Sequence, residues 1–187
     1  ALPIYVAFVR STVAHGRLRD LDVQAARRGP GVLAVFTADD VGERFMPAIN
    51  PLLPLRREHR MPLLALHQVD YAGQPLAIVV AETRAQARAA AEAVRADIEA
   101  LPTVPDFASD DALTEVAYLW QASEIPQAAP VSTVQARMHC PRVIAMTMEP
   151  RAMAVQVDVA SQTLTVWAGS QSPSRARTDI AAALAIE

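Results

Sequence analysis

One predicted strand and the helix that follows it restrict the fold of this chain more than any other feature. Leu76 to Ala81 is a continuous apolar run, which is typical of a buried strand. Thr83 and Gln86 then have the spacing of a capping box, in which each side chain satisfies a free backbone N–H at a helix start. Strong helix formers follow, and the helix is predicted to end near Ile98. This pair of elements favours a domain that contains both strands and helices.

Five shorter segments before this pair are predicted to belong to the same unit. The first is rich in β-branched and aromatic residues, which is typical of strands, the second alternates Leu18, Asp20 and Asp22 with Arg19, Leu21 and Val23, and the third is typical of a buried strand. The predicted strands are Ile4 to Arg10, Leu18 to Val23 and Val32 to Thr37, a helical turn covers Gln24 to Arg28, and Asp39-Asp40 begin a turn or helix. Together with the strand and helix above, they predict a mixed α+β domain over residues 1–106.

A long irregular stretch, Gly42 to Pro62, interrupts this predicted domain and is rich in proline and arginine. Loops of such length are uncommon in compact domains and are often functional. Two interpretations stay open. The stretch either approaches a ligand or partner, or it only connects its neighbours.

A second unit is predicted over residues 132–187, after a polar, proline-spaced linker at residues 107–131. Its predicted elements are a strand at Val134 to His139, a hairpin formed by Ala152 to Asp158 and Leu164 to Trp167, a loop at 169–173, and a helix from Arg175 to Ile186. The chain opens with alanine and stops in that helix without a cap or stop signal. We therefore expect it to be part of a longer polypeptide.

Composition argues against several classes of protein. A formal net charge of -3 and a pI of about 5.8 leave no basic stripe of the kind that nucleic-acid binding needs. No apolar run approaches the ~20 residues that span a bilayer. The single cysteine, Cys140, cannot form an internal disulfide and cannot alone hold an iron–sulfur cluster or zinc. A reducing, cytoplasmic setting is the simplest interpretation.

The reactive side chains, taken singly, favour structural roles. His139 and Cys140 are adjacent on a predicted strand and therefore point to opposite faces, which favours a buried thiol over a nucleophile. The four histidines lack the short spacings of metal ligands, and the six glycines are too scattered for a phosphate-binding loop. The pairs Asp39-Asp40 and Asp110-Asp111 lie at predicted turns, where aspartate commonly caps the backbone.

Short motifs over residues 8–106 nevertheless resemble those of one family. Arg10-Ser11 with Ala14-His15 is similar to RSPHAHARI, and the segment from Pro30 to Asp40 is similar to PGVxAVxTAxD. Tyr71 to Pro75 and Glu99 to Asp106 are similar to VxYxGxP and YExLPxVxD. These are motifs of the α/β hammerhead domain of molybdenum hydroxylases, the family of xanthine dehydrogenase, aldehyde oxidase and aerobic carbon monoxide dehydrogenase. Their order and spacing carry the resemblance more than any one of them.

The second unit resembles the opening of the family's molybdopterin-binding domain, at Met148 to Arg151, Leu164 to Trp167 and Ser170 to Pro173. In the family, a glutamine of a TQxP loop lies beside the molybdenum and hydrogen-bonds an oxo group on it, and the matching residue is Gln171. A neutral amide suits this role because it stabilises charge on oxygen without adding a ligand or a titrating group. The alternative is a loop glutamine that bonds its own backbone.

The resemblance implies an α+β fold, with a hammerhead domain followed by the start of a mixed α+β molybdopterin-binding domain. It implies part of the molybdenum-binding subunit of a hydroxylase that oxidises an N-heterocycle, an aldehyde or carbon monoxide with oxygen from water, and that is inactive alone. The molybdopterin cofactor would be shared with another chain, the remainder of the molybdenum subunit. A 2Fe–2S cluster and FAD would belong to partner subunits.

Two parts of the family pattern have no match in this sequence, namely the glycine-rich pterin-binding loop and the glutamate that serves as the base. A fold does not dictate its function. The alternative is therefore a non-catalytic binding or assembly module on the same fold.

Overall fold

The structure is a computed structural model that describes residues 3–46, 61–103, 132, 134–136, 138, 148 and 152–186. Contacts divide the chain into two compact units, residues 1–118 with 179–187 and residues 119–178. The elements in chain order are β1 (Tyr5–Arg10), β2 (Gly16–Asp22), α1 (Gln24–Arg27), β3 (Val32–Phe36), α2 (Ala38–Val41), β4 (Gln68–Val69), β5 (Pro75–Ala81), α3 (Arg84–Glu92), β6 (Arg95–Ala100), β7 (Met153–Asp158), β8 (Thr163–Ala168) and α4 (Pro173–Leu184). The predicted α+β class is confirmed.

The first unit contains two three-stranded sheets, with the strand orders β1-β5-β3 and β4-β2-β6. All of their pairings are antiparallel. The predicted apolar run occupies the centre of the first sheet as β5, where Leu76, Ala77, Val79 and Ala81 are buried. Its side chains are covered on both faces of the sheet, since Val79 packs in the cluster with the helices and Leu76 in the cluster with the second sheet, so an almost wholly apolar sequence is suited to it.

Two clusters of buried side chains form the core of this unit. The first cluster joins the first sheet to the helices and comprises Val23, Ala26, Val35, Val79 and Ala90. The second joins the two sheets and comprises Ala65, Val69 and Leu76. Because Val9 and Leu21 pack against both clusters, the core is continuous from the helices to the second sheet.

Helix α3 is shorter than predicted, since it ends at Glu92 and not near Ile98. Residues Arg95–Ala100 instead form β6, which pairs with β2. Ile98 thereby packs against the second core cluster. Backbone pairing with a distant strand and burial of this one side chain override the local preference for helix.

The predicted capping box at the start of α3 is formed only in part. The Thr83 hydroxyl accepts a hydrogen bond from the Gln86 backbone N–H at 3.3 Å. It also donates to the Gln86 side-chain oxygen at 2.7 Å. The side-chain amide of Gln86 therefore bonds the Thr83 hydroxyl. In the predicted box it would bond the Thr83 backbone N–H instead.

The second unit contains the predicted hairpin as β7 and β8, paired in continuous antiparallel register. The carboxylate of Asp158 accepts hydrogen bonds from the backbone N–H groups of Ala160 and Ser161 in the turn. Hydrogen bonds from Ser161, and then from Ala160, hold the pKa of Asp158 below its ordinary value. The hairpin is thus specified by its turn as well as by its alternating sequence.

The strand predicted over Val134 to His139 is not formed by the described residues of that segment. Residues 134–136 and 138 have no regular structure, and the side chains of Val134 and Met138 are almost fully exposed. Strand backbone needs a partner for its N–H and C=O groups. None of the described strands pairs with these residues.

Helix α4 ends differently from the prediction, which expected no stop signal. Ala185 adopts a left-handed conformation with φ of 54°. Its N–H bonds the carbonyl of Ala182 at 3.2 Å, and the N–H of Ile186 bonds that of Ala181 at 3.0 Å. This is a Schellman motif, which terminates a helix. The sequence gives no sign of it, because alanine stands where glycine is usual.

Candidate functional site

The loop that contains Gln171 joins β8 to α4, and two local features define it. The hydroxyl of Ser170 accepts a hydrogen bond from the backbone N–H of Ser172 at 3.1 Å. Pro173 is the first residue of α4, a position where its fixed φ and missing N–H are favourable. The first helical hydrogen bond runs from Ala176 N–H to the Ser172 carbonyl at 3.0 Å. The loop is therefore ordered by its serines and its proline.

The side chain of Gln171 is exposed, and its amide makes no hydrogen bond within the described part of the chain. The local backbone bond that a loop glutamine could make is supplied by Ser170. The amide nitrogen can therefore donate two hydrogen bonds to a molecule that approaches the loop, and the amide oxygen can accept hydrogen bonds from it. A neutral amide of this kind can hydrogen-bond an oxygen atom without itself becoming a ligand of a metal ion.

One face of the β7–β8 hairpin in the same unit is entirely apolar. The register sets Val155 opposite Val166, and opposed residues of an antiparallel pair share a face. The residues of this face are Met153, Val155, Val157, Leu164, Val166 and Ala168. The three on β7 are each more than half exposed. We call these six residues the apolar hairpin face.

Of the four histidines, His15 and His67 lie in the described residues, whereas His59, His139 and Cys140 lie outside them. The Nδ1 atom of His15 lies 2.7 Å from the carbonyl oxygen of Pro102. A carbonyl can only accept, so Nδ1 carries the proton and donates. Across the described residues, no group of three or more histidine, cysteine or acidic side chains could hold a metal ion.

Of the two aspartate pairs, Asp39-Asp40 is described and Asp110-Asp111 lies outside the described residues. The carboxylate of Asp40 accepts hydrogen bonds from the backbone N–H of Thr37 at 2.8 Å and from its hydroxyl at 3.0 Å. These bonds, and the nearby guanidinium of Arg27, hold the pKa of Asp40 below its ordinary value. The predicted capping role is confirmed for Asp40, whose carboxylate accepts from the Thr37 backbone N–H at the start of α2.

We expect Asp40→Asn to lower the free energy of unfolding by less than about 1 kcal/mol at neutral pH, because the capping carboxylate is partly exposed. Since the folded state lowers the pKa, the contribution is complete above the unfolded value of about 3.9 and is lost as the pH falls through the folded value. Denaturant unfolding of both proteins between neutral and strongly acid pH measures this. The control is Asp39→Asn, whose carboxylate makes no hydrogen bond to the described residues. A difference between wild type and Asp40→Asn that persists in strong acid would contradict this assignment.

The residues of the hammerhead-like motifs join strand ends to turns. The N–H of Ser11 bonds the carbonyl of Gln74 at 2.9 Å, and the N–H of Gly73 bonds the carbonyl of Ser11 at 2.7 Å. Arg10 donates from Nη1 to the Gly73 carbonyl at 2.9 Å. The buried side chain of Gln74 accepts from the N–H of Asp70 at 2.7 Å. The bonds of Ser11 and Arg10 hold together two segments about 60 residues apart in sequence, and the bond of Gln74 closes the turn before β5.

Two family profiles match the chain in sequence order. Residues 2–102 match the aldehyde oxidase and xanthine dehydrogenase a/b hammerhead domain. Residues 113–187 match the molybdopterin cofactor-binding domain. The first match covers more than half of the chain.

Full-length relatives agree with these matches. The nicotine 6-hydroxylase large subunit of Paenarthrobacter nicotinovorans is 31% identical over 91% of this chain and 22% of its own length. The aldehyde oxidoreductase molybdenum-binding subunit PaoC of Escherichia coli K12 is 30% identical over 97% of this chain and 24% of its own length. The chain thus spans about a quarter of the length of the curated relatives it matches.

A solved structure resembles nearly the whole chain. Quinoline 2-oxidoreductase from Pseudomonas putida 86 superposes with a TM-score of 0.77 at 28% identity, over 98% of this chain and 25% of that one. The described fold therefore corresponds to about one quarter of a larger protein.

Proposed function

Because the chain belongs to the aldehyde oxidase and xanthine dehydrogenase family of molybdenum hydroxylases, we propose that it forms the first part of the molybdenum-binding subunit of such an enzyme. The observation that carries this proposal is the pair of family matches, which lie in order along residues 2–102 and 113–187. We assign residues 1–106 to the hammerhead domain, 107–131 to a linker, and 132–187 to the start of the cofactor-binding domain.

The reaction that we propose for the complete enzyme is oxidation of an N-heterocycle, an aldehyde or carbon monoxide with oxygen taken from water. The molybdopterin cofactor supplies the two-electron redox chemistry when it is bound. Electrons leave through a 2Fe–2S subunit and an FAD subunit, and the enzyme acts in the cytoplasm. Within the described residues, no helix is long and apolar enough to cross a membrane. The remainder of the molybdenum subunit is required, so the chain is inactive alone.

The role that we propose for Gln171 is to donate a hydrogen bond to an oxygen atom of the cofactor. The fit rests on the donor itself, because the amide is neutral, exposed and not engaged by the described residues. Ser170 and Pro173 restrict the loop backbone on either side, which reduces the entropy lost when the amide binds. The side chain orients the cofactor and moves no proton.

The role that we propose for the apolar hairpin face is contact with the remainder of the molybdenum subunit. An isolated two-stranded hairpin is marginally stable in water unless a further strand or a helix covers its apolar face. Burial of one valine side chain contributes about 1.5–3 kcal/mol, so covering this face is strongly favourable. The length of the relatives, about four times that of this chain, provides the polypeptide that would cover it.

The proposal is tested by purifying the tagged chain with its bound subunits after substitution on either face of the hairpin. We expect Val155→Asp to reduce recovery of the other subunits at least tenfold, since a buried unpaired charge is costly. The matched control is Thr165→Asp, which lies on the opposite face of the same hairpin and should leave recovery unchanged. Mass spectrometry of the recovered polypeptides identifies the remainder of the molybdenum subunit, and absorbance from flavin and iron–sulfur groups identifies the other two subunits.

Equal recovery with both variants would show that the apolar hairpin face does not contact the other subunits. A wild-type chain that purifies as a monomer and binds none of them, even when co-expressed, would instead favour a non-catalytic module.

A further inference from the structure

The guanidinium of Arg44 joins the carboxyl ends of two helices. Its Nη1 atom donates to the carbonyl of Ala183 in the last turn of α4 at 2.8 Å. Its Nε atom donates to the carbonyl of Val41, the last residue of α2, at 3.1 Å. Arg44 and residues 179–187 belong to the same compact unit, although 139 positions separate the two bonded residues. No feature of the sequence points to this contact.

The backbone around Arg44 is held by three further interactions. The N–H of Arg44 bonds the carbonyl of Gly42 at 2.7 Å, and its carbonyl accepts from the N–H of Leu63 at 2.9 Å. Phe45 and Pro62 form an isolated antiparallel bridge. Gly42 takes a φ of 74°, which favours glycine. The side chain therefore projects from a backbone that is already fixed, and little backbone entropy is lost in forming its bonds.

Arg44 donates to the carbonyl of Ala183, which the helix cannot satisfy by itself. The last four carbonyls of an α-helix have no helical partner. In α4 the Schellman motif satisfies those of Ala181 and Ala182, and Arg44 satisfies that of Ala183. A guanidinium at this end is also favoured by the partial negative charge of the helix dipole.

Side-chain packing holds α4 only weakly, which makes this hydrogen bond important. No residue of α4 is fully buried. The Arg44 loop and the end of the helix border a cleft of about 520 Å³, so the two surfaces are not closely packed. The charged hydrogen bond crosses the edge of that cleft.

We propose that Arg44 anchors the carboxyl end of α4 within the first compact unit, by joining it to the backbone that follows α2. This anchor does not rest on the proposed function. The experiment below therefore needs no cofactor and no turnover, and its result is independent of whether Gln171 contacts a cofactor.

The test is backbone hydrogen exchange of the full chain, read in peptides over residues 179–186. We expect Arg44→Ala to speed exchange there about tenfold. Arg44→Lys keeps a charged donor that can reach one carbonyl, so it should restore part of the protection. The control is Arg88→Ala, which removes an exposed arginine from α3 that has no partner among the described residues.

The outcomes are distinguishable. Unchanged exchange at residues 179–186 in Arg44→Ala would overturn the proposal, and so would equally faster exchange in β5 and α3, which would make Arg44 a general fold residue. Because Arg44→Lys retains the charge, it gives a result even where the alanine variant does not fold.

Discussion

Replacing Gln171 with alanine is expected to lower turnover of the assembled enzyme about 10- to 100-fold, which is the loss typical of removing a hydrogen bond that supports a metal centre from outside its own ligands. The amide is exposed and is not engaged by the described residues, so its removal leaves no internal polar group unsatisfied. Stability, subunit composition and molybdenum content should therefore stay as in the wild type.

The loss should appear in kcat at every pH, because an amide does not titrate. Gln171→Glu should be at least as slow, since a carboxylate removes the donor and repels an electron-rich oxygen. The matched control is Gln156→Ala, which removes an exposed glutamine from the hairpin in the same unit, on the face opposite the apolar hairpin face. Turnover of Gln171→Ala equal to that of the wild type, at equal molybdenum content, would contradict the role given to this residue.

Local sequence signals predicted the elements whose structure depends on their neighbours in the chain. The hairpin β7–β8 follows from alternation and a turn that Asp158 caps. The central strand β5 follows from a continuous apolar run. The capping role of Asp40 follows from the known preference of aspartate at turns, although its partner, Thr37, was not identified.

The features that sequence reasoning missed depend on distant partners or on unusual residues. Residues of β6 are good helix formers, and only pairing with β2 makes them a strand. The stop of α4 uses an alanine at positive φ, which no sequence rule would select. Arg44 lies in the stretch from Gly42 to Pro62, for which two roles were open, namely approach to a ligand or partner and simple connection of its neighbours. In the described residues its side chain bonds a helix of its own chain.

The position of Gln171 shows where sequence and structure each contribute. The family motif selects this residue, and no physical pattern in the sequence would do so. The structure adds that Ser170, not Gln171, bonds the loop backbone. Within the described residues Gln171 makes no hydrogen bond to its own loop, and its role beside a cofactor stays a prediction.

The central claim, on which the role of Gln171 depends, is that this chain helps to hold a molybdenum cofactor. The direct measurement is the molybdenum and pterin content of the native complex, purified through the tagged chain under mild conditions and analysed by elemental mass spectrometry and pterin fluorescence. We expect both in amounts equimolar to the chain, and neither in the chain purified free of other subunits, since the pterin-binding loop has no match in its sequence. A complete complex that contains neither molybdenum nor pterin, after expression in cells that make the cofactor, would contradict the claim.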